Sequence, residues 1–192
     1  MSLLVEKNNM KNKVEWKSLK TINGYAADEV ISALQKEVRR KKIDQAIFWA
    51  YEMCLSGEIF QKKLWERLVA IAVEDVGFGN PMGCVVVQNL RQAFWSDFDH
   101  VDDKYIQAMF ATAYLANSKK DRFIDEIKNY FVLTKHMIKI PTYALDKHTK
   151  RGKEMGRGDK YFWTVGNILK PELATRNKKY LKKIQKRVLV NS

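Results

Sequence analysis

Apolar positions recur at helical spacing along most of the chain. Val30, Leu34 and Val38 stand at i, i+4 and i+8 with Ile31 alongside, which predicts a helix over about residues 28–40. It ends in the cations Arg39, Arg40, Lys41 and Lys42, where positive charge suits a helix C-terminus. Ile43, Ala46, Ile47, Ala50, Tyr51 and Cys54 form the next stripe, and Gly57 closes it. Residues 60–76 predict a third helix, apolar on most sides and therefore central. "GFGNP" at 77–81 breaks the pattern, and Pro81 opens a fourth helix to about Trp95. "SDFDHVDD" reads as a capped connection, with Asp102 and Asp103 leading into a fifth helix that ends near Ala116. After "NSKKDR", the side chains Phe123, Ile127, Tyr130 and Phe131 share one face of a sixth helix, and Pro141 interrupts or follows it. "KPELATRNKKYLKKIQKRVL" predicts a last, basic helix with Pro171 in its first turn and Leu173, Tyr180, Ile184 and Leu189 as apolar anchors. No segment alternates with period two for long, and no solenoid repeat is visible. The expected fold class is all-α, a multi-helix antiparallel bundle.

Composition narrows this picture. A chain of 192 residues suits one domain with appendages. Residues 1–23 read as a polar lead, a linker or an expression remnant, and 24–192 as a single helical domain with a basic C-terminal segment. A hydrophobic content of 46% argues against global disorder, and only nine Gly and three Pro argue against a fold built on many tight β turns. Cys54 and Cys84 lie in apolar helical patterns and read as free buried thiols rather than a disulfide. No CxxC pair exists, which excludes a zinc ribbon. The N-terminus has no apolar signal-peptide core, and no apolar run is long enough to span a bilayer, so a cytoplasmic location without a membrane partner is expected.

Charge changes the expectation about partners. The formal net charge is +13, and residues 147–187 hold fourteen Lys/Arg against three acids, while the rest holds 21 against 19. A basic end on a nearly neutral body points to a polyanion such as nucleic acid; the alternative is a solvated, solubilising surface. The densest stretch is "ALDKHTKRGKEMGRGDKYFW", residues 144–163. It is not a P-loop, because from Gly152 the required second glycine falls on Arg157. Nor is it a dinucleotide fingerprint, because from Gly156 the third glycine falls on Tyr161. Two readings stay open: phosphate contact, through the cations and a nest of glycine amides beside Arg157 and Lys160, or a plain connection. On the first reading the nucleic-acid-binding residues are Lys147, Lys150, Arg151, Lys153, Arg157 and Lys160. Tyr161, Phe162 and Trp163 would either stack on bases or pin the loop to the body.

Other chemistry is thinner. His148 beside Asp146 offers a base with its orienting carboxylate, and His100 with Asp102 and Asp103 offers metal-ligating atoms, but neither has the spacing of HExxH. Asp102 and Asp103 are better explained as residues of a helix N-terminus, and Glu74–Asp75 as a cap or an interhelical ion pair. No activated serine or cysteine is apparent, and no catalytic, cofactor or metal residue is expected.

The run "DEVISALQKEVRRKKIDQAIFWAYEMCLSGE" followed by "LWERLVAIAVEDVGFGNP" resembles the C-terminal region of the replication-associated recombination protein A family. These AAA+ ATPases are also called MgsA in bacteria and include the Werner-helicase-interacting protein. Asp28, Leu34, Lys36, Arg39, Asp44, Trp49 and Gly57 carry the resemblance, then Arg67, Glu74, Asp75, Gly77, Asn80 and Pro81. "AYLANSKK" resembles a further family segment, as do Pro141, Leu145, Lys153, Gly156, Gly158 and Tyr161, and then Pro171, Glu172, Leu173, Arg176 and Tyr180. The likeness covers roughly residues 24–188, with Arg157 where the family often has an aromatic.

The resemblance implies an α-helical domain like the clamp-loader C-terminal collar, a homotetramer, and a role in replication, recombination and repair at stalled forks. It implies DNA as partner, single-stranded or forked, and further replication proteins. ATP is implied only for a full-length member: Walker A, Walker B and sensor-arginine regions are missing, and the AAA+ module is expected before residue 1. Two alternatives stand beside it: a stand-alone protein-interaction module, and a nucleic-acid-processing enzyme using the His148 region.

Overall fold

Helix α1, Ala27–Arg39, begins with Asp28 and Glu29 and ends with Lys36 and Arg39, so charge complements the helix dipole at both ends. Its Val30, Leu34 and Val38 are buried. It belongs to a computed structural model that describes residues 15–96 and 100–190. The chain divides into two compact units, Met1–Lys135 and His136–Ser192. The fold is all-α; among the described residues the only β feature is an isolated antiparallel bridge between Lys20 and Ala26.

In the first unit, α2 (Ile43–Leu55) buries Ala46, Ala50, Met53 and Cys54. Gly57, with φ at 94°, makes the turn into α3 (Glu58–Ile71), a conformation that disfavours a side chain. α3 buries Phe60, Leu64, Trp65, Leu68 and Ile71, and each such leucine or isoleucine contributes about 1.5–3 kcal/mol through removal from water. α4 (Met82–Phe94) and α5 (Val101–Asn117) complete the bundle. α3 and α5 each pack on α1, α2 and α4 as well as on one another, so α5 shares the central position expected of the third helix.

The third helix departs from expectation at its end. From Ala72 to Val76 it widens into a π-helical turn, then tightens into a 3₁₀ turn at Gly77–Gly79. Asp75 on this turn is fully buried and ion-paired to Arg39 and Arg122, so of the cap and the interhelical ion pair offered by the sequence it makes the ion pair. Its carboxylate accepts from Gln35 Nε2 at 2.8 Å and lies 2.5 Å from Arg39 Nε and 3.3 Å from Arg122 Nε. The Asp121 amide donates to the carbonyls of Asp75 and Val76. Side chains are excluded at the adjoining turn: a Cβ on Gly77 would lie 2.5 Å from the Asp121 carbonyl oxygen, and one on Gly79 2.5 Å from that of Lys119. α6 (Phe123–Thr134) follows this junction and has no buried residue.

Within the predicted polar lead, Trp16 and Leu19 pack against the core, Trp16 edge-on to Phe60 at 5.6 Å. Residues 1–14 of that lead and 97–99 of the capped connection lie outside the described residues. Cys54 is buried, and burial pushes its thiol up to about 12. Cys84 is exposed, contrary to expectation: the buried stripe of α4 runs through Gly83, Val87 and Phe94, and Cys84 is turned about 100° off it.

The second unit holds α7 (Lys150–Glu154), α8 (Asp159–Tyr161), a π turn at Phe162–Gly166, and α9 (Lys179–Val190). The last helix starts at Lys179, not at Pro171. Glu172 pairs with Arg176 and Lys178 in the preceding turn, and Asn177 Oδ1 accepts from the Lys179 amide at 3.0 Å, capping the helix there.

Candidate nucleic-acid interface

The glycine-rich stretch is built on Asp146. The backbone carbonyl of Asp146 accepts from the Thr149 amide at 3.0 Å and the Thr149 hydroxyl at 3.1 Å. The carboxylate of Asp146 accepts from the His148 amide at 2.9 Å, and the imidazole Nδ1 lies 3.2 Å away. Hydrogen bonding from the His148 backbone lowers the Asp146 pKa; burial opposes this, and the imidazole adds to the lowering. Thr149 then caps α7, its hydroxyl accepting from the Gly152 amide at 3.0 Å. Gly152 is buried against the Asp146 backbone so closely that a Cβ there would overlap the carbonyl oxygen. This part of the stretch is a short capped helix pressed onto a turn.

Gly156, at φ 70°, ends that helix; its amide donates to the Lys153 carbonyl and the Arg157 amide to the Gly152 carbonyl, both at 2.9 Å. These bonds occupy the Gly156 and Arg157 amides, two of those that an anion-binding nest here would use.

The six predicted contact residues fall in this one unit with two different roles. Arg157 is turned inward: it donates to the carbonyls of Thr142 and Leu145, and its guanidinium lies 4.3 Å from the centre of the Tyr161 ring. Lys147 lies 2.5 Å from Asp159 and 5.0 Å from the Phe162 ring. Lys150, Arg151, Lys153 and Lys160 are exposed. Lys150 reaches Glu154 only at 3.9 Å, and the other three make no ion pair among the described residues. Beneath them Phe162 meets His148 edge-on at 4.9 Å and Trp163 at 5.0 Å, half-buried like Tyr161. Tyr161 and Phe162 pack against the loop itself, through Arg157 and His148. Among the described residues no group of three His, Cys, Asp or Glu could hold a metal ion.

A second set of cations was not singled out from the sequence. On α9, Leu181, Ile184, Gln185 and Val188 are half-buried on one side, and Gln185 Nε2 donates to the Trp163 carbonyl at 2.8 Å. Lys179, Lys182, Lys183, Lys186 and Arg187 are exposed and make no ion pair among the described residues. No acidic residue follows Glu172 in the sequence. The spacing of 181, 184 and 188 was the available signal: at 3.6 residues per turn it sends 179, 182, 183 and 186 to the opposite face. Tyr180 stands exposed beside them, with Lys179 and Lys183 Nζ at 5.7 and 5.9 Å from its ring centre.

The family model for the MgsA AAA+ ATPase C-terminal region matches residues 41–187. The chain belongs to the MgsA AAA+ ATPase C-terminal family. The match runs from the start of α2 into the last turn of α9 and takes in residues of both units. The MgsA domain matched is the C-terminal one, not the ATPase module. No curated protein matches the chain. Among the described residues, no helix of this MgsA-type domain is long and apolar enough to cross a membrane.

Proposed function

We propose that this domain serves a cytoplasmic replication and recombination ATPase of the MgsA type by self-association, as a homotetramer, and by contact with single-stranded or forked DNA. The observation that carries the DNA reading is the set Lys150, Arg151, Lys153 and Lys160. These cations lie exposed on a loop whose shape is fixed by Asp146, Gly152 and Arg157. Lys147 and Arg157 shape the loop and would support contact indirectly. Cations on a preformed frame meet phosphates with little sequence preference and a steep dependence on salt. Self-association is supported by exposed apolar side chains, Val132 and Leu133 on α6 in the first unit, and Met137 and Ile138 in the second. Symmetric assembly would multiply the basic surface.

Binding of the chain to a labelled oligonucleotide should fall by at least an order of magnitude between about 50 and 200 mM salt. Reversing charge at Arg151, Lys153 and Lys160 together should weaken it about tenfold or more; unchanged binding would refute the loop contact. Light scattering should give a mass above the monomer, and a strict monomer at high micromolar concentration would refute assembly.

A further inference from the structure

We propose that the outer face of α9 is a second nucleic-acid surface, with Lys179, Lys182, Lys183 and Lys186 following the phosphates of single-stranded DNA and Tyr180 stacking on a base. The inference rests on the DNA reading above but concerns a different surface. These lysines are exposed and make no ion pair among the described residues, and no Asp or Glu stands between Leu173 and Ser192. A polyanion would offset their mutual repulsion. Lys179 to Lys186 spans about 10 Å of helix axis, enough to track a short stretch of backbone.

Two observations narrow the class of polyanion. The apolar edge of α9, through Leu181 and Ile184, is half-buried, and Gln185 is bonded to Trp163. A basic helix that binds membranes inserts its apolar face, and here that face is already engaged. Tyr180 points to a single strand. Tyr180 is 68% exposed and its ring lies beside Lys179 and Lys183, so a base and its flanking phosphates could be met together. A duplex hides its base faces; a single strand offers them.

The test uses the full chain, a fluorescent oligothymidylate and a duplex of equal length. Four proteins are compared by anisotropy across a salt series: wild type, K182E/K183E/K186E, Tyr180→Ala, and a loop variant R151E/K153E/K160E. All the altered side chains are exposed or half-buried, and circular dichroism checks that each variant is folded. The α9 triple variant is expected to lose at least tenfold in single-strand affinity and to flatten the salt slope by about two, near 0.7 per lost phosphate contact. Tyr180→Ala is expected to lose about fivefold on the single strand and nothing on the duplex. If the loop variant loses binding while the α9 variant matches wild type, the loop reading stands and this one is overturned. Equal losses on both DNA forms, with no effect of Tyr180→Ala, overturn the single-strand assignment. Wild type that binds neither DNA at low salt but binds phosphatidylserine vesicles overturns both readings.

Discussion

Gly152 and Gly156 stand four residues apart in sequence but differ in what they demand of the fold. Gly156 sits in the left-handed region with open space where a Cβ would go, so Gly156→Ala meets backbone strain alone, about 1 kcal/mol. Gly152 has ordinary helical geometry but no room, because the Asp146 backbone occupies the place of its side chain. Gly152→Ala should therefore cost more, about 2–3 kcal/mol, as overpacking does. Urea denaturation of both variants checks the order; an equal or reversed cost would refute the close approach as the reason for the glycine. The close approach at Gly152 was not legible in the sequence, because the Asp146 backbone is brought against it only by folding. The same holds for the cations. Lys147 and Arg157 are as basic in the sequence as Lys153, but Asp159 and the Thr142 and Leu145 carbonyls, which turn them inward, are brought to them only by folding.

At the scale of elements, α1 to α6 were readable because their apolar stripes repeat at helical spacing and their breaks carry Gly, Pro or charge. Two boundaries were not. The π turn at Ala72–Val76 has no signature in composition; it sets Asp75 among Arg39, Gln35 and Arg122, partners that only folding brings together. The start of α9 was placed too early because Pro171 is a common first-turn residue, while the ion pairs of Glu172 and the Asn177 cap decide otherwise. Asp75→Asn should expose the importance of the first junction. Breaking a buried pair costs about 3–5 kcal/mol, and the partial exposure of Arg39 and Arg122 reduces this to about 1–3. Thermal denaturation should show the loss, and hydrogen exchange should show α6 opening more readily. A variant as stable as wild type would mean the ion pairs are incidental.

For the whole molecule, acid is the informative perturbation. Burial raises the Glu52 pKa, but hydrogen bonds from Thr21 and Asn23 outweigh it, and the net shift is downward. Asp146 is lowered chiefly by the His148 backbone, and Glu172 by Lys178 and then Arg176. A carboxylate with a lower pKa in the folded state stabilises fully above its unfolded value, about 4, and loses that contribution as pH falls through the folded value. Melting temperature should stay level from neutrality to about pH 5 and fall below about pH 4, and Glu52→Gln should make the acid limb shallower. A melting curve whose acid limb ignores Glu52→Gln would count against that linkage.

The meeting of the Gly77–Gly79 turn with the chain at Lys119–Asp121 has a consequence of another kind. It works as a clasp made of main chain, closed by the Asp121 amide on the carbonyls of Asp75 and Val76. A single methyl group at Gly77 or Gly79 would pry it apart, and the damage would be read at Arg122, lifted off Asp75 together with the root of α6.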